Sequence, residues 1–183
     1  MKKNIRTIVF VALYVAMAIA FDYTKNFIPF NEMPSGGSYI NLALIPLVIA
    51  SCHFGLLQGM GIGLLYWAIA SLLGLNSYYL NAFQYLFDYI IPAVSIGFVG
   101  IYALNKKIYM MELGIVLMSL SRFLTTLISG AYFWLSDGAV AGSTIAWANS
   151  FRYNFGYNFS SMVILMIICP IIFKRIEKIL EHI

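Results

Sequence analysis

Residues 82–97 read AFQYLFDYIIPAVSIG. The run is apolar enough to cross a bilayer, yet it carries Asp88 in its middle, four residues after Gln84. An ionised side chain at the centre of a membrane helix costs on the order of 3 kcal/mol on insertion scales. Such a residue normally faces a partner charge or a polar cavity, so this stretch sets the fold question and the function question together.

The rest of the chain agrees that the solvent is lipid. Of 183 residues, 62% are hydrophobic and 10% charged, against about a quarter charged in a soluble domain. Period-2 alternation is absent, which argues against a membrane β-barrel. The basic start, MKKNIRTIVFVALYVAMAIAF, leads to no small-residue cleavage site and reads as a retained first helix. Cys52 and Cys169 lie far apart in apolar runs, with no redox or zinc spacing.

Working outward from residues 82–97, six helices are expected, at about Asn4–Phe27, Tyr39–His53, Gly55–Gly74, Tyr79–Asn105, Ile108–Leu135 and Thr144–Phe173. Short breaks such as CHFG and NKK imply antiparallel neighbours. The tail KRIEKILEHI reads as an amphipathic surface turn. Lys2, Lys3, Arg6, Lys106, Lys107, Lys174, Arg175 and Lys178 then share one side, and Lys25 lies on the other. Positive charge marks the cytoplasmic face. The expected architecture is an all-α integral membrane bundle of six transmembrane helices, residues 1–183 as one domain, both termini cytoplasmic. The net charge of +4 reports topology, not a nucleic-acid partner.

Three charges fall inside spans: Asp88, Arg122 and Arg152. Asp88 and Arg122 sit at similar depth, roughly 15 Å below the outer helix ends, and an ion pair between them is one reading of Asp88. Asn81, Gln84 and Asp88 share a face of the fourth helix at i, i+3, i+7. Arg122, Thr126, Gly130 and Trp134 repeat every four residues on the fifth, and Ser150, Asn154, Tyr157 and Ser161 form a stripe on the sixth. Polar stripes of this kind serve either as interhelical glue or as the lining of an outward-facing cavity. Trp134, Tyr153 and Tyr157 beside amides and a carboxylate suit a small, flat, polar ligand. The loop NEMPSGGSY, with adjacent Gly36 and Gly37, would roof that cavity as a lid, Gly37 allowing close backbone approach to the ligand.

Ala12, Ala16 and Ala20 make a small-residue ridge on helix one, for packing within the chain or for docking a partner protein. Gly59, Gly61 and Gly63 in QGMGIGLL precede no strand–helix turn and read as close helix packing, not a dinucleotide fingerprint. No G-x-x-x-x-G-K-[ST] and no H-E-x-x-H occurs. Asp88 is a lone deep carboxylate, which does not suit an intramembrane aspartyl enzyme. No cofactor, metal or enzymatic role is expected.

On these residues the chain resembles the substrate-binding S components of energy-coupling factor vitamin transporters, most closely their thiamin-specific branch. MPSGGSYINLALIPLVIASCHFG (33–55) is similar to that branch's first loop and second helix. FQYLFDYIIPAVSIGFVGIY (83–102) resembles its fourth helix, where an acidic residue precedes a tyrosine; here these are Asp88 and Tyr89. SRFLTTLISGAYFW (121–134) and RYNFGYN (152–158) resemble its fifth and sixth. The resemblance implies capture of a vitamin from outside under the first loop, then association with a transmembrane coupling subunit and two cytoplasmic ATPases. It implies that Asp88 binds an aminopyrimidine, that Trp134 stacks on that ring, that Asn154 contacts the ligand, and that Ala12, Ala16 and Ala20 dock the coupling subunit. The chain departs from the branch at Thr126, where a histidine is usual, and at Asn149, where a tyrosine is usual. Arg152 also leaves the deep region net positive beside a site for cationic thiamin. An S component for another vitamin, a membrane scaffold subunit and a self-sufficient secondary carrier are the competing readings.

Overall fold

The structure is a computed structural model that describes residues 2–24, 27–28, 30–33, 38–75, 78–135 and 138–181. Among these residues the chain forms six helices and no β-strand, with one isolated bridge between Glu32 and Ser38. The helices are α1 (Lys2–Thr24), α2 (Leu44–Phe54), α3 (Leu56–Leu72), α4 (Ala82–Leu104), α5 (Ile108–Tyr132) and α6 (Thr144–Glu181). Four of them, α1, α4, α5 and α6, are long and apolar enough to cross a membrane; α2 and α3 are shorter.

Helix α2 begins five residues later than expected, for a visible reason. The Tyr39 carbonyl, which an earlier helix would need, accepts instead from the Ser160 hydroxyl at 2.9 Å and the Ser161 hydroxyl at 3.3 Å. The Ala43 amide turns to the Asn41 side chain at 3.1 Å. The shortened α2 is buried from Leu44 through Cys52. A helix that is apolar all round belongs in a core, and α2 touches α1, α3, α4 and α6. Around it, Leu47, Ile96, Met111, Ile115, Met118 and Leu165 are fully buried.

The chain reverses from α2 to α3 at Gly55, with φ 90° and ψ −178°, a conformation that is essentially glycine-only. A Cβ on Gly59 would meet the Ser51 hydroxyl at 2.2 Å, and one on Gly63 the Ala93 carbonyl at 2.0 Å. These two glycines are the expected packing positions. Gly61 is not: nothing lies within 4 Å of its Cβ position.

Helix α4 is not a uniform helix. An α-helical turn (Ala82–Tyr85) passes into a π-helical turn (Leu86–Ile90), back to α (Ile91–Ser95), and ends as 3₁₀ (Ile96–Leu104). Asn81 therefore does not share a face with Gln84 and Asp88; it is the N-cap, its side chain accepting from the Gln84 amide at 2.9 Å. Helix α6 spans 38 residues and continues through Pro170 past the expected end at Phe173, so residues 174–181 of the tail extend the helix and form no separate surface turn. Its outer face stacks Phe151, Phe155 and Phe159 at centroid spacings of 5.5 and 5.2 Å, each about half exposed. An exposed aromatic column of this kind fits lipid better than water.

Candidate functional site

Asp88 sits inside the π-helical turn of α4, a rare geometry that is found frequently at functional sites. Its orientation is fixed by Gln84, which is fully buried. The Gln84 Oε1 accepts from the Leu80 amide at 3.0 Å, which leaves Nε2 to donate to Asp88 Oδ2 at 2.7 Å. Trp134, just beyond the end of α5, donates its indole Nε1 to the same oxygen at 2.7 Å. The indole leans on Tyr78 at 4.6 Å. A residue from α4 and one following α5 thus close over a single carboxylate.

The expected Asp88–Arg122 ion pair is not made. Arg122 donates to the Tyr157 hydroxyl at 2.5 Å, with its guanidinium 5.9 Å from that ring's centroid. A second carboxylate lies nearby that the sequence reading passed over. Asp22, in the last turn of α1, is 7% exposed and accepts a hydrogen bond from the Tyr66 hydroxyl of α3. The Tyr66 phenol lies within electrostatic reach of both Arg122 and Tyr157. The phenols of Tyr89 and Tyr153 lie within reach of Asp88 and Tyr157. Tyr66 of α3 thus lies near charges from α1 and α5, while Tyr89 of α4 and Tyr153 of α6 lie near Asp88. Arg152, in contrast, is exposed, so the expected positive excess does not arise.

Several expected lining residues are seam residues between α5 and α6. Asn154, buried, donates to the Thr126 carbonyl at 3.2 Å and to the Ser150 carbonyl at 3.0 Å. Thr126 turns its hydroxyl to the Arg122 carbonyl at 2.9 Å and accepts from Asn158 at 3.5 Å. Gly130 is buried against α6, where a Cβ would stand 2.1 Å from the Ser150 hydroxyl; it is a packing position. Asn149 is exposed on α6. Gly36 and Gly37 lie outside the described residues. Among the described residues nearby, Asn31, buried, bonds Ile40 through both its amide oxygen (2.8 Å) and nitrogen (3.2 Å).

Two cavities lie away from this cluster. One of about 220 Å³ is lined by Cys52, His53, Tyr102, Lys106, Phe173 and Glu177. The other, an apolar groove of about 360 Å³, runs between α1 and α3 and is lined by Ala12, Val15, Ala16, Ile19, Leu65 and Ile69. Ala12, Ala16 and Ala20 are exposed, so this ridge is not consumed by packing inside the chain.

The model of the family described as "Thiamine transporter protein" matches residues 8–181. The chain belongs to this family. A curated relative, the thiamine transporter ThiT of Bacillus subtilis (strain 168), is 29% identical over 163 residues, covering 83% of this chain and 82% of its own length. A solved structure of ThiT from Listeria monocytogenes superposes with a TM-score of 0.75 at 22% identity, covering 97% of this chain and 98% of that one; it speaks to the fold. As a thiamine transporter family member the chain is a transport protein and not an enzyme, and its spanning-length apolar helices make it a multi-pass membrane protein. The resemblance to the thiamin branch of S components holds.

Sequence reasoning missed Asp22 and Tyr66. The signal was there: Tyr14, Ala18 and Asp22 recur every four residues on α1 and are all buried, opposite the alanine ridge.

Proposed function

We propose that the chain is the S component of an energy-coupling factor importer and captures thiamin from outside at Asp88. In this reading all six helices cross the membrane with both termini cytoplasmic, and the loop ahead of α2 forms the lid. The aminopyrimidine's amino group donates to Asp88, whose rotamer Gln84 holds. Trp134 trades its hydrogen bond to Asp88 for a stacking contact on the pyrimidine. Tyr89, Tyr153 and Tyr157 line the remainder, with Arg122 behind Tyr157. Asn154, Thr126 and Gly130 hold α5 against α6, so the binding surface is narrower than the stripes suggest. The exposed ridge of Ala12, Ala16 and Ala20 docks a transmembrane coupling subunit that works with two cytoplasmic ATPases.

The observation that carries this reading is the doubly bonded Asp88 in the π-helical turn, ringed by aromatic side chains from separate helices. A carboxylate kept half-buried in the middle of an apolar membrane helix is costly to retain without use. Titration of thiamin and a vitamin panel onto the detergent-solubilised protein tests it through tryptophan fluorescence: thiamin should quench saturably as Trp134 stacks. A protein that binds none of the panel is not a capture subunit.

A further inference from the structure

We propose that Ser129 is a positioning residue for Asp88, its buried hydroxyl taking over as donor to the carboxylate when the Trp134 indole turns away to stack on ligand. The inference rests on the reading of Asp88 and Trp134 as the ligand's partners, and it concerns a residue that no stripe in the sequence singles out.

Gln84 and Trp134 both donate to Asp88, and both bonds fall on Oδ2. Stacking on ligand takes the indole off that oxygen and leaves Gln84 behind. A carboxylate in an apolar setting that loses a donor needs another. One is at hand. Ser129 lies in the last turn of α5, five residues before Trp134. It is 0% exposed, and among the described residues its hydroxyl is one of two buried side-chain polar atoms without a hydrogen-bond partner. A hydroxyl inside a helix commonly turns back to a carbonyl three or four residues earlier. Thr125 and Thr126 do so, both to the Arg122 carbonyl, at 3.0 and 2.9 Å. Ser129 does not. Its neighbour Gly130 packs on α6, so Ser129 projects about 100° around the helix from that seam. On that side α5 packs on the π-helical turn Leu86–Ile90, and the Ser129 hydroxyl is close enough to the Asp88 carboxylate to interact with it. An unsatisfied buried hydroxyl is destabilising and calls for an explanation, and its hydrogen rotates to suit a new acceptor. The unliganded protein thus holds a donor in reserve, used when ligand draws Trp134 away.

Ser129→Ala removes the hydroxyl at nearly constant volume. In the unliganded protein it deletes an unsatisfied polar atom, so the melting temperature in detergent is expected to stay level or rise. Thiamin affinity by calorimetry is expected to fall roughly tenfold, as for the loss of one hydrogen bond to a charged group. A lower unliganded melting temperature would make Ser129 a packing residue and overturn the proposal, and so would affinity within twofold of wild type. A second measurement needs no ligand. Trp134→Phe removes the indole donor outright, so Ser129 should already serve Asp88 in that variant. Ser129→Ala is then expected to lower the melting temperature in the Trp134→Phe background and not in the wild-type background, a coupling that independent sites do not show. Additive melting shifts remove this inference alone. Wild-type protein that binds no thiamin removes the capture reading, and the ligand-free comparison still decides whether Ser129 takes over.

Discussion

Gln84 separates positioning from contact. The sequence places it among the ligand-binding residues, whereas in the structure it is fully buried and spends both ends of its amide on the protein. Gln84→Met keeps the volume and removes the bond to Asp88. A hydrogen bond to a charged group contributes roughly 1.5–3 kcal/mol. Trp134 still serves the same oxygen, so a loss near the lower end, about 2 kcal/mol, is expected. For a chain of this size that lowers the melting temperature by about 4–8 °C. The bond exists with and without ligand, so it largely cancels from the binding equilibrium, and thiamin affinity should fall by no more than about threefold, which is under 1 kcal/mol. Thermal unfolding in detergent and calorimetric titration on the same sample give both numbers. An unchanged melting temperature with a collapse in affinity would mean that Gln84 touches ligand directly, and would refute the reasoning.

Gly130→Ala tests the α5–α6 seam. The new Cβ would clash with Ser150, an overpacking that costs about 1–3 kcal/mol, and adding Ser150→Gly should recover part of the lost thermal stability. Tyr102→Phe acts at the opposite end of the bundle. It removes a 2.6 Å hydrogen bond from a buried phenol to Glu177, so stability should drop by about 1–2 kcal/mol while thiamin affinity, measured by titration, stays at the wild-type value.

The helices were legible because composition and the spacing of apolar runs are lipid-driven and local. The start of α2 was not, because it depends on Ser160 and Ser161, some 120 residues away, taking the Tyr39 carbonyl. Nor was the π-helical turn at Asp88, since a regular 3.6 period places Asn81 on the same face and hides the extra residue. Within the site, Asp88 and Trp134 could be found because a charge and an indole near one membrane depth are conspicuous. The stripes on α5 and α6 could be seen but not interpreted: periodicity puts Thr126, Gly130 and Asn154 on facing surfaces, and only the contacts reveal that the surfaces face each other. Asp22 does not stand out in the sequence because it falls near a helix end, yet it is buried and bonded by the Tyr66 hydroxyl of α3.

The central claim is that the Asp88 carboxylate recognises the ligand. Asp88→Asn preserves the shape and an oxygen that can accept from Gln84 and Trp134, so the protein should still unfold cooperatively. Its amide nitrogen would then present hydrogens to the pyrimidine's amino hydrogens, losing a charge-assisted bond and opposing donor to donor. Together these are expected to cost about 3 kcal/mol, a drop in thiamin affinity of roughly a hundredfold or more by calorimetry. A folded Asp88→Asn protein that binds thiamin within threefold of wild type would contradict the account.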